Sequence, residues 1–266
     1  MKIIQIIVFL ILLLKVSVFA EGLKIVAHRG ASKAAPENTI PAFKLAWKQG
    51  ADVIEGDFLL TKDGHIVCIH DRNTKRLAKK NKVVRRSTLA ELRQLDVGIR
   101  HGEAFKDTVI PTIAEVFSTI PEGKSIFIEI KCGPEIIPAL LAAIKKSGLK
   151  KEQIVVICFN KNVIQKFKEK APEYKASWLY SFKKGSSTER ILKMLKEIKA
   201  DAFSSSKNIN EASIREIIKH GYECHIWTIN DLKTAKRFKE WGATSITTDI
   251  PGELKKNLVE QGALAK

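Results

Sequence analysis

Three acidic residues lie in two short apolar runs, at spacings that would bring their side chains together. Glu55 and Asp57 are two residues apart in VIEGDF, and Glu129 lies in FIEIK. Side chains two residues apart on a strand point to the same face of the sheet. Crowded carboxylates repel one another and resist ionising together, and a hard divalent cation removes that conflict. Oxygen ligands of this kind favour Ca²⁺ or Mg²⁺ over zinc. The alternative interpretation is that the acids pair with nearby lysines.

Two histidines are expected beside these acids. His28 ends the first β-branched run, KIVAH. The segment Thr61-Lys62-Asp63-Gly64 predicts a hairpin turn that would pair residue 60 near residue 65 and residue 55 near residue 70. His70 would then lie beside Glu55, and two imidazoles flanking a cation suit paired acid and base catalysis near neutral pH. The remaining histidines lack such neighbours and are interpreted as structural or surface residues: His65, His101, His220 and His225.

Two cations adjoin the same motifs. Arg29 directly follows His28 and can offer planar, two-pronged donors to a phosphate, and Lys131 adds a point charge two residues after Glu129. An anion held by an arginine, a lysine and a divalent cation fits phosphoryl chemistry.

These residues belong to an alternation of strand-like and helix-like segments. The predicted strands are 24–28, 52–58, 125–131, 153–159, 175–181, 201–206, 223–229 and 245–249. The predicted helices lie near 39–49, 112–120, 134–147, 161–170, 187–198, 210–220, 231–240 and 251–260. Eight of each predict an α/β fold, a closed (βα)8 TIM barrel whose reactive groups gather at the C-terminal ends of its strands. A doubly wound open sheet is the alternative, but no Gly-rich phosphate turn follows the first strand.

One stretch interrupts this alternation. After the hairpin turn the chain returns as HIVCIH, and a polar, Lys/Arg-rich excursion then runs to residue 111. We interpret 61–111 as a small insertion after strand 2, on the rim of the barrel. Its segment Thr88–Leu95 has a helical pattern, which argues against a free linker.

The first twenty residues have the layout of a secretory signal peptide. Lys2 provides the positive start, an apolar run ends at Leu14, and small residues lie one and three positions before Glu21. The apolar run is shorter than the ~20 residues of a membrane-spanning helix. We therefore expect residues 1–20 to be a signal peptide cleaved after Ala20, with an uncleaved anchor as the alternative. Residues 21–266 would be one exported barrel domain, periplasmic or secreted.

The chain is strongly basic for its size. Its 266 residues carry a net charge of +17, which becomes +15 once the leader with its two lysines is removed. Such a charge attracts anions and permits association with anionic surfaces, even a structural role in the cell envelope. No basic stripe interleaved with aromatic residues indicates nucleic-acid binding. The composition carries no signal of an oligomeric state. The four cysteines show no metal-binding spacing and are expected to be free thiols: Cys68, Cys132, Cys158 and Cys224.

Several of these segments resemble the glycerophosphodiester phosphodiesterase family. The specific matches are HRGASKAAPENTIPAF at 28–43 and GADVIEGDFLLTKDGHIVCIHD at 50–71. Weaker matches are IPT at 110–112, FIEIK at 127–131, WTIND at 227–231 and TTDIP at 247–251. The resemblance covers nearly all of the chain after the leader. It implies a (βα)8 barrel with a small insertion after the second strand.

The resemblance also implies roles for individual residues. His28 and His70 would be the catalytic acid and base, and a divalent metal, Ca²⁺ or Mg²⁺, would be held by the three acids Glu55, Asp57 and Glu129. Arg29 and Lys131 would bind the phosphate, and Trp227 would line the substrate mouth. Glu37 and Asn38 fall in a family signature but could equally just begin the first helix.

The resemblance implies hydrolysis of small-molecule glycerophosphodiesters to glycerol 3-phosphate and an alcohol. Water could attack phosphorus directly, or the glycerol 2-hydroxyl could attack first and form a cyclic phosphate. One alternative is a lysophospholipase D or sphingomyelinase D-like phosphodiesterase acting on phospholipids. A non-enzyme alternative is an exported phosphoester-binding protein, although binding alone would not need the two histidines.

Overall fold

Parallel strands close into a barrel in this computed structural model, which describes residues 22–265. The strands in chain order are β1 Lys24–Ala27, β2 Val53–Leu60, β3 Ile66–Cys68, β4 Ser125–Ile130, β5 Ile154–Cys158, β6 Lys175–Tyr180, β7 Ala202–Ser206, β8 Glu223–Trp227 and β9 Ser245–Thr248. Around the barrel the order is β1-β9-β8-β7-β6-β5-β4-β2, and pairing of β1 with β2 closes it. Strand β3 lies outside this ring and pairs antiparallel with β2. The prediction of an eight-stranded TIM barrel is therefore confirmed.

Helices follow the barrel strands and cover the outside of the barrel, apart from the second helix, which belongs to the segment predicted as an insertion. They are α1 Ile40–Lys48, α2 Leu89–Arg93, α3 Ile113–Phe117, α4 Ile137–Ser147, α5 Lys161–Lys170, α6 Thr188–Glu197, α7 Glu211–Lys219, α8 Leu232–Glu240 and α9 Pro251–Glu260. Thr39 caps the first helix, since its side chain accepts a hydrogen bond from the backbone N–H of Ala42. Helix α3 ends at Phe117, shorter than predicted, because the chain must turn before Pro121 and β4.

The barrel interior beneath the C-terminal ends of the strands is packed. Side chains from facing strands meet there in a small apolar cluster with Trp227 at its edge: Val26, Val53, Phe127, Val155, Ile157 and Leu179. His225 lies among them, 3% exposed, edge-on to Phe127 and hydrogen-bonded through Nδ1 to Ser245. Of the two interpretations offered from the sequence, structural or surface, His225 is therefore structural. This floor of packed side chains holds the strand ends at a fixed spacing.

The hairpin after β2 differs from the prediction by one residue. Leu60 pairs with Ile66 rather than with residue 65, because Thr61 is still paired and its N–H donates to the carbonyl of His65. The loop is therefore Lys62-Asp63-Gly64, with Gly64 in the left-handed region at φ 81°, as three-residue hairpin loops require. The pairing predicted between residue 55 and residue 70 was wrong, because regular pairing ends at Cys68.

The segment predicted as an insertion has a small core of its own. Side chains from the hairpin and the following loop pack together apart from the barrel wall: Leu59, Val67, Ile69, Ala78, Val84, Leu92, Leu95, Val97 and Ile110. Helix α2 lies within it and begins with a capping box between Thr88 and Glu91, which satisfies backbone N–H groups at its start. This packing fixes the chain on both sides of His70.

The structure also bears on the cysteines and on membrane-spanning helices. All four cysteines are free thiols, as expected, and three of them are buried. Among residues 22–265, no helix has both the length and the apolar character needed to cross a membrane. The predicted signal peptide, 1–20, lies outside the described residues.

Candidate active site

Three carboxylates meet at the C-terminal end of two neighbouring strands. Asp57 of β2 pairs in register with Glu129 of β4, and Glu55 lies two residues earlier on the same face of β2. One oxygen from each of the three lies within 4.8 Å of the others. Their exposure is low, at 3% for Glu55, 0% for Asp57 and 9% for Glu129. The structure therefore brings together the acids that the sequence predicted to meet.

The loop after β1 fixes the orientation of the acids on β2. The Asn38 side-chain nitrogen Nδ2 donates to Asp57 Oδ2 over 2.8 Å, and the Asn38 side-chain oxygen Oδ1 accepts from the Asp57 backbone N–H over 3.0 Å. The backbone N–H of Arg29 donates to Glu55 Oε2 over 2.9 Å. Both Arg29 and Asn38 adopt positive φ angles, 55° and 59°. This tight backbone brings amide groups to the carboxylates, so Asn38 does more than begin the first helix.

Burial and mutual repulsion make two of the acids hard to ionise. Loss of hydration, added to the charge of Asp57, raises the pKa of Glu55 to about 8. The same two causes raise the pKa of Glu129 to about 7, although the Lys131 ammonium opposes them. A cation bound among the three carboxylates would favour their charged forms, in addition to the effect of Lys131.

His28 is held by a carboxylate from the opposite end of the chain. Its Nδ1 lies 2.6 Å from Asp249 Oδ1, where β9 ends beside β1. Asp249 also accepts hydrogen bonds from Ser32 and Asn230. Burial lowers the pKa of His28, but the Asp249 hydrogen bond and the Glu55 charge outweigh it, so the net shift is upward. Against the opposing effect of burial, the His28 hydrogen bond lowers the pKa of Asp249 to about 2.

His70 has an equivalent carboxylate partner on the insertion. Its Nδ1 lies 2.7 Å from Asp71 Oδ1, and Arg76 Nε donates to the other oxygen of Asp71 over 2.8 Å. Arg76 also donates two 2.7 Å hydrogen bonds to Glu37. Glu37 in turn accepts from Arg29 over 3.1 Å. Glu37 thus connects the two histidine-bearing loops.

The two predicted phosphate-binding cations contact the acid cluster. Arg29 Nε lies 3.2 Å from Asp57 Oδ2. Lys131 Nζ lies 2.7 Å from Glu129 Oε1 and 3.4 Å from Asp57 Oδ1. Burial alone would lower the pKa of Lys131, but Glu129 and Asp57 raise it, so it stays charged. Both cations face the same space as the acids.

That space is a cavity of about 180 Å³ at the barrel mouth. Both histidines and both cations line it, with Glu55 and Glu129, while Asp57 is buried beneath. Trp227 lines it too and packs edge-on against Phe159, with ring centroids 5.6 Å apart. Every site residue predicted from the sequence therefore lies in or directly under one cavity.

The carboxylates fit a hard divalent cation. Glu55 Oε1 and Asp57 Oδ1 are buried and make no hydrogen bond within the part of the chain that the structure describes. Buried carboxylate oxygens without hydrogen bonds are costly, and a bound cation would satisfy them. The donor set contains only oxygen atoms, as Ca²⁺ and Mg²⁺ prefer.

The sequence reasoning missed the residues that orient the histidines. Asp71 directly follows His70, and Asp249 ends the last strand, so both were visible as polar residues at strand ends. Arg76 carried no signal, because its role depends on how the insertion folds back over Glu37.

Comparisons with known proteins agree with this site. The profile of the Glycerophosphoryl diester phosphodiesterase family matches residues 28–253. A glycerophosphodiester phosphodiesterase of Caldanaerobacter subterraneus subsp. tengcongensis is 37% identical over 246 residues, covering 90% of this chain and 98% of the relative. One from Bacillus subtilis is 31% identical over 244 residues, covering 85% and 83%.

Solved structures show the same likeness. An Oleispira antarctica phosphodiesterase, in complex with the product sn-glycerol-3-phosphate, superposes with a TM-score of 0.82 at 26% identity, covering 88% of this chain and 96% of its own. A glycerophosphodiester phosphodiesterase from Thermotoga maritima gives 0.74 at 26% identity, covering 89% and 99%. The chain therefore belongs to the glycerophosphoryl diester phosphodiesterase family, a family of enzymes that are phosphoric diester hydrolases.

Proposed function

We propose that this enzyme hydrolyses glycerophosphodiesters to glycerol 3-phosphate and an alcohol, with a divalent cation and with His28 and His70 as its acid and base. The observation that carries the proposal is the convergence of both imidazoles on the cavity that holds the acid cluster. The Oleispira antarctica relative, bound to sn-glycerol-3-phosphate, supports a ligand of this chemistry.

Glu55, Asp57 and Glu129 would hold the cation, which is Ca²⁺ or Mg²⁺. When bound, it supplies positive charge to the phosphoryl oxygens and lowers the cost of the charge that develops on them. Arg29 and Lys131 add positive charge from the loop after β1 and from the end of β4. Their contacts with the acids hold both side chains at the cavity wall.

The two histidines move the protons. Because Nδ1 of each ring is bound to an aspartate, Nε2 is left to exchange a proton with a ligand. One imidazole takes the proton of the attacking hydroxyl as its oxygen bonds to phosphorus. The other gives a proton to the alcohol oxygen as its bond to phosphorus breaks. When water attacks, this single exchange gives glycerol 3-phosphate. When the glycerol 2-hydroxyl attacks, it gives a cyclic phosphate, which water then opens as the two histidines exchange their acid and base roles.

The test is release of glycerol 3-phosphate from glycerophosphocholine by the wild type and by His28→Ala and His70→Ala. Loss of general acid–base catalysis typically costs about 10²- to 10⁴-fold in rate. His220→Ala is the matched control, since His220 is half exposed and bonds only within its own helix turn. Normal turnover by either active-site variant, with the fold intact by circular dichroism, would refute the acid–base roles.

Metal dependence is tested separately. A chelator is expected to abolish release of glycerol 3-phosphate, and Ca²⁺ or Mg²⁺ to restore it. Full activity after exhaustive chelation would contradict the role of the acid cluster as a metal site.

We also propose that the enzyme is exported. Cleavage after Ala20 would place the enzyme in the periplasm or the medium, where a small-molecule diester is its partner. N-terminal sequencing of the mature protein should begin at Glu21, and an intact Met1 in a soluble intracellular fraction would argue against export.

A further inference from the structure

A second and larger cavity opens beside the active-site cavity. It has a volume of about 640 Å³ and shares three residues with the active-site cavity, namely Glu129, Lys131 and Phe159. Its other walls come from the insertion and from the loops after β4 and β5. We call this cavity the side groove. Since Lys131 faces both spaces, a phosphate bound there has a substituent within reach of the groove.

Three cations of the insertion line the side groove without ionic partners. Lys62, Arg72 and Arg85 are exposed, and within residues 22–265 their side chains form no ion pair and no hydrogen bond with the protein. Other cations of the insertion are paired, as Lys82 is with Glu91 and Arg76 with Glu37. The three cations of the groove are therefore free to bind an anion from solution.

The acids of the groove do not cancel this charge. Glu129 belongs to the acid cluster and is paired with Lys131. Glu135 accepts a hydrogen bond from the backbone N–H of Gly133 over 3.2 Å. With Lys131 included, four cations face two acids along the described lining, so the groove attracts negative charge.

The groove also holds exposed apolar surface. Val83 is 39% and Phe159 is 46% exposed, and they are the exposed large hydrophobic residues found in the described part of the chain. Both line the groove. Exposed apolar side chains beside unpaired cations in a concave surface are typical of a ligand site, since a ligand that fills the groove would cover them.

We propose that the side groove is the subsite for the alcohol half of the substrate and selects diesters whose alcohol carries further negative charge, such as a second phosphodiester. This inference rests on the proposed function, because it assigns the half of the diester that leaves. Lys62, Arg72 and Arg85 would pair with the distal anion, and Phe159 and Val83 would contact the carbon chain that connects it to the reacting phosphate.

The test compares two diesters that differ by one distal glycerophosphate unit, glycerophosphoglycerol and bis(glycerophospho)glycerol. The wild type should show the higher kcat/KM for the second, and the preference should shrink as salt is raised. Arg85→Ala should lower kcat/KM for the second diester about two- to fivefold, as expected for one exposed ionic contact, and leave the first unchanged. Arg86→Ala is the matched control, because Arg86 lies in the same short helix, is exposed and does not line the groove.

Lys62→Ala and Arg72→Ala should act in the same direction, and the triple variant with Arg85→Ala should abolish the preference. Equal kcat/KM for the two diesters, equal effects of Arg85→Ala and Arg86→Ala, or a preference for lysophosphatidylglycerol would overturn the inference.

Failure of the proposed function has a different signature, namely no hydrolysis of any diester. Calorimetric titration of both diesters into the chelated protein then decides the inference by itself. Tighter binding of bis(glycerophospho)glycerol that Arg85→Ala weakens supports the subsite, and equal binding refutes it.

Discussion

Replacing Asp249 with Asn tests whether the contact between Asp249, after the last strand, and His28, after the first, raises the pKa of His28. The variant keeps the size of the side chain and removes the charge 2.6 Å from His28 Nδ1. Hydrogen bonds to charged groups are worth about 1.5–3 kcal/mol. The two side chains are 23% and 30% exposed, so solvent screening favours the lower end, about 1.5–2 kcal/mol. Loss of that amount in the transition state corresponds to about 10- to 30-fold in kcat/KM.

The pH dependence of stability gives a second readout of the same contact. The pKa of His28 is raised in the folded protein, so its contribution to stability is complete below its ordinary value of 6.5 and is lost as pH rises through the higher folded pKa. The pKa of Asp249 is lowered from 3.8 to about 2, so its contribution is present above pH 3.8 and is lost as pH falls through about 2. Asp249→Asn should therefore reduce the free energy of unfolding most between about pH 4 and 6.5.

The assay is a pH profile of kcat/KM together with NMR titration of the His28 ring. In Asp249→Asn the pKa of His28 should fall, because burial, which lowers it, is then opposed only by Glu55. The pH profile of kcat/KM should shift to lower pH accordingly. Asn230→Ala is a useful comparison, since it removes another hydrogen bond to Asp249 but keeps the charge. An unchanged His28 titration in Asp249→Asn would refute the reasoning.

Two further predictions concern the acid cluster. The metal-free protein should lose stability as pH rises from about 4.5 to about 8, because the unfolded chain releases protons that Glu55 and Glu129 keep when folded. Thermal unfolding with and without saturating Ca²⁺ or Mg²⁺ measures this loss. A stabilisation by metal that is no larger at pH 8 than at pH 5 would contradict the prediction. Asn38→Ala should weaken metal binding about 10- to 100-fold, as removal of groups that orient metal ligands does, because Asp57 loses two hydrogen bonds. A calorimetric metal titration gives the affinity. An unchanged Kd would show that Arg29 and Lys131 orient Asp57 instead.

The fold was predictable because its signals are local. Each barrel strand is a short run of buried, mostly apolar residues, and α1 and α3 begin with capping threonines at Thr39 and Thr112. The period-two pattern alone placed Glu55 and Asp57 on one face of β2. The hairpin register was wrong by one residue because nothing in the sequence distinguishes a three-residue loop closed by Gly64 from a four-residue turn.

The partners of the histidines could not be predicted, because they depend on tertiary closure. Asp249 reaches His28 only when β9 pairs with β1, across 221 residues of chain. Asp71 is local, but Arg76 orients it only after the insertion has folded over Glu37. A sequence pattern identifies which residues share a strand end, whereas the aspartate that binds each histidine is positioned by the folded barrel and insertion.

These contacts divide control of the two histidines between different parts of the fold. His28 belongs to the seam where the barrel closes, so any loosening of β1 from β9 removes its aspartate. His70 belongs to the insertion, which has its own apolar core, and Arg76 and Glu37 connect it back to the loop that carries Arg29. The acid cluster lies between them on β2 and β4, in the stable wall of the barrel. Changes in the insertion can therefore alter the His70 position and the neighbouring side groove together, while the acid cluster and the His28 seam stay intact.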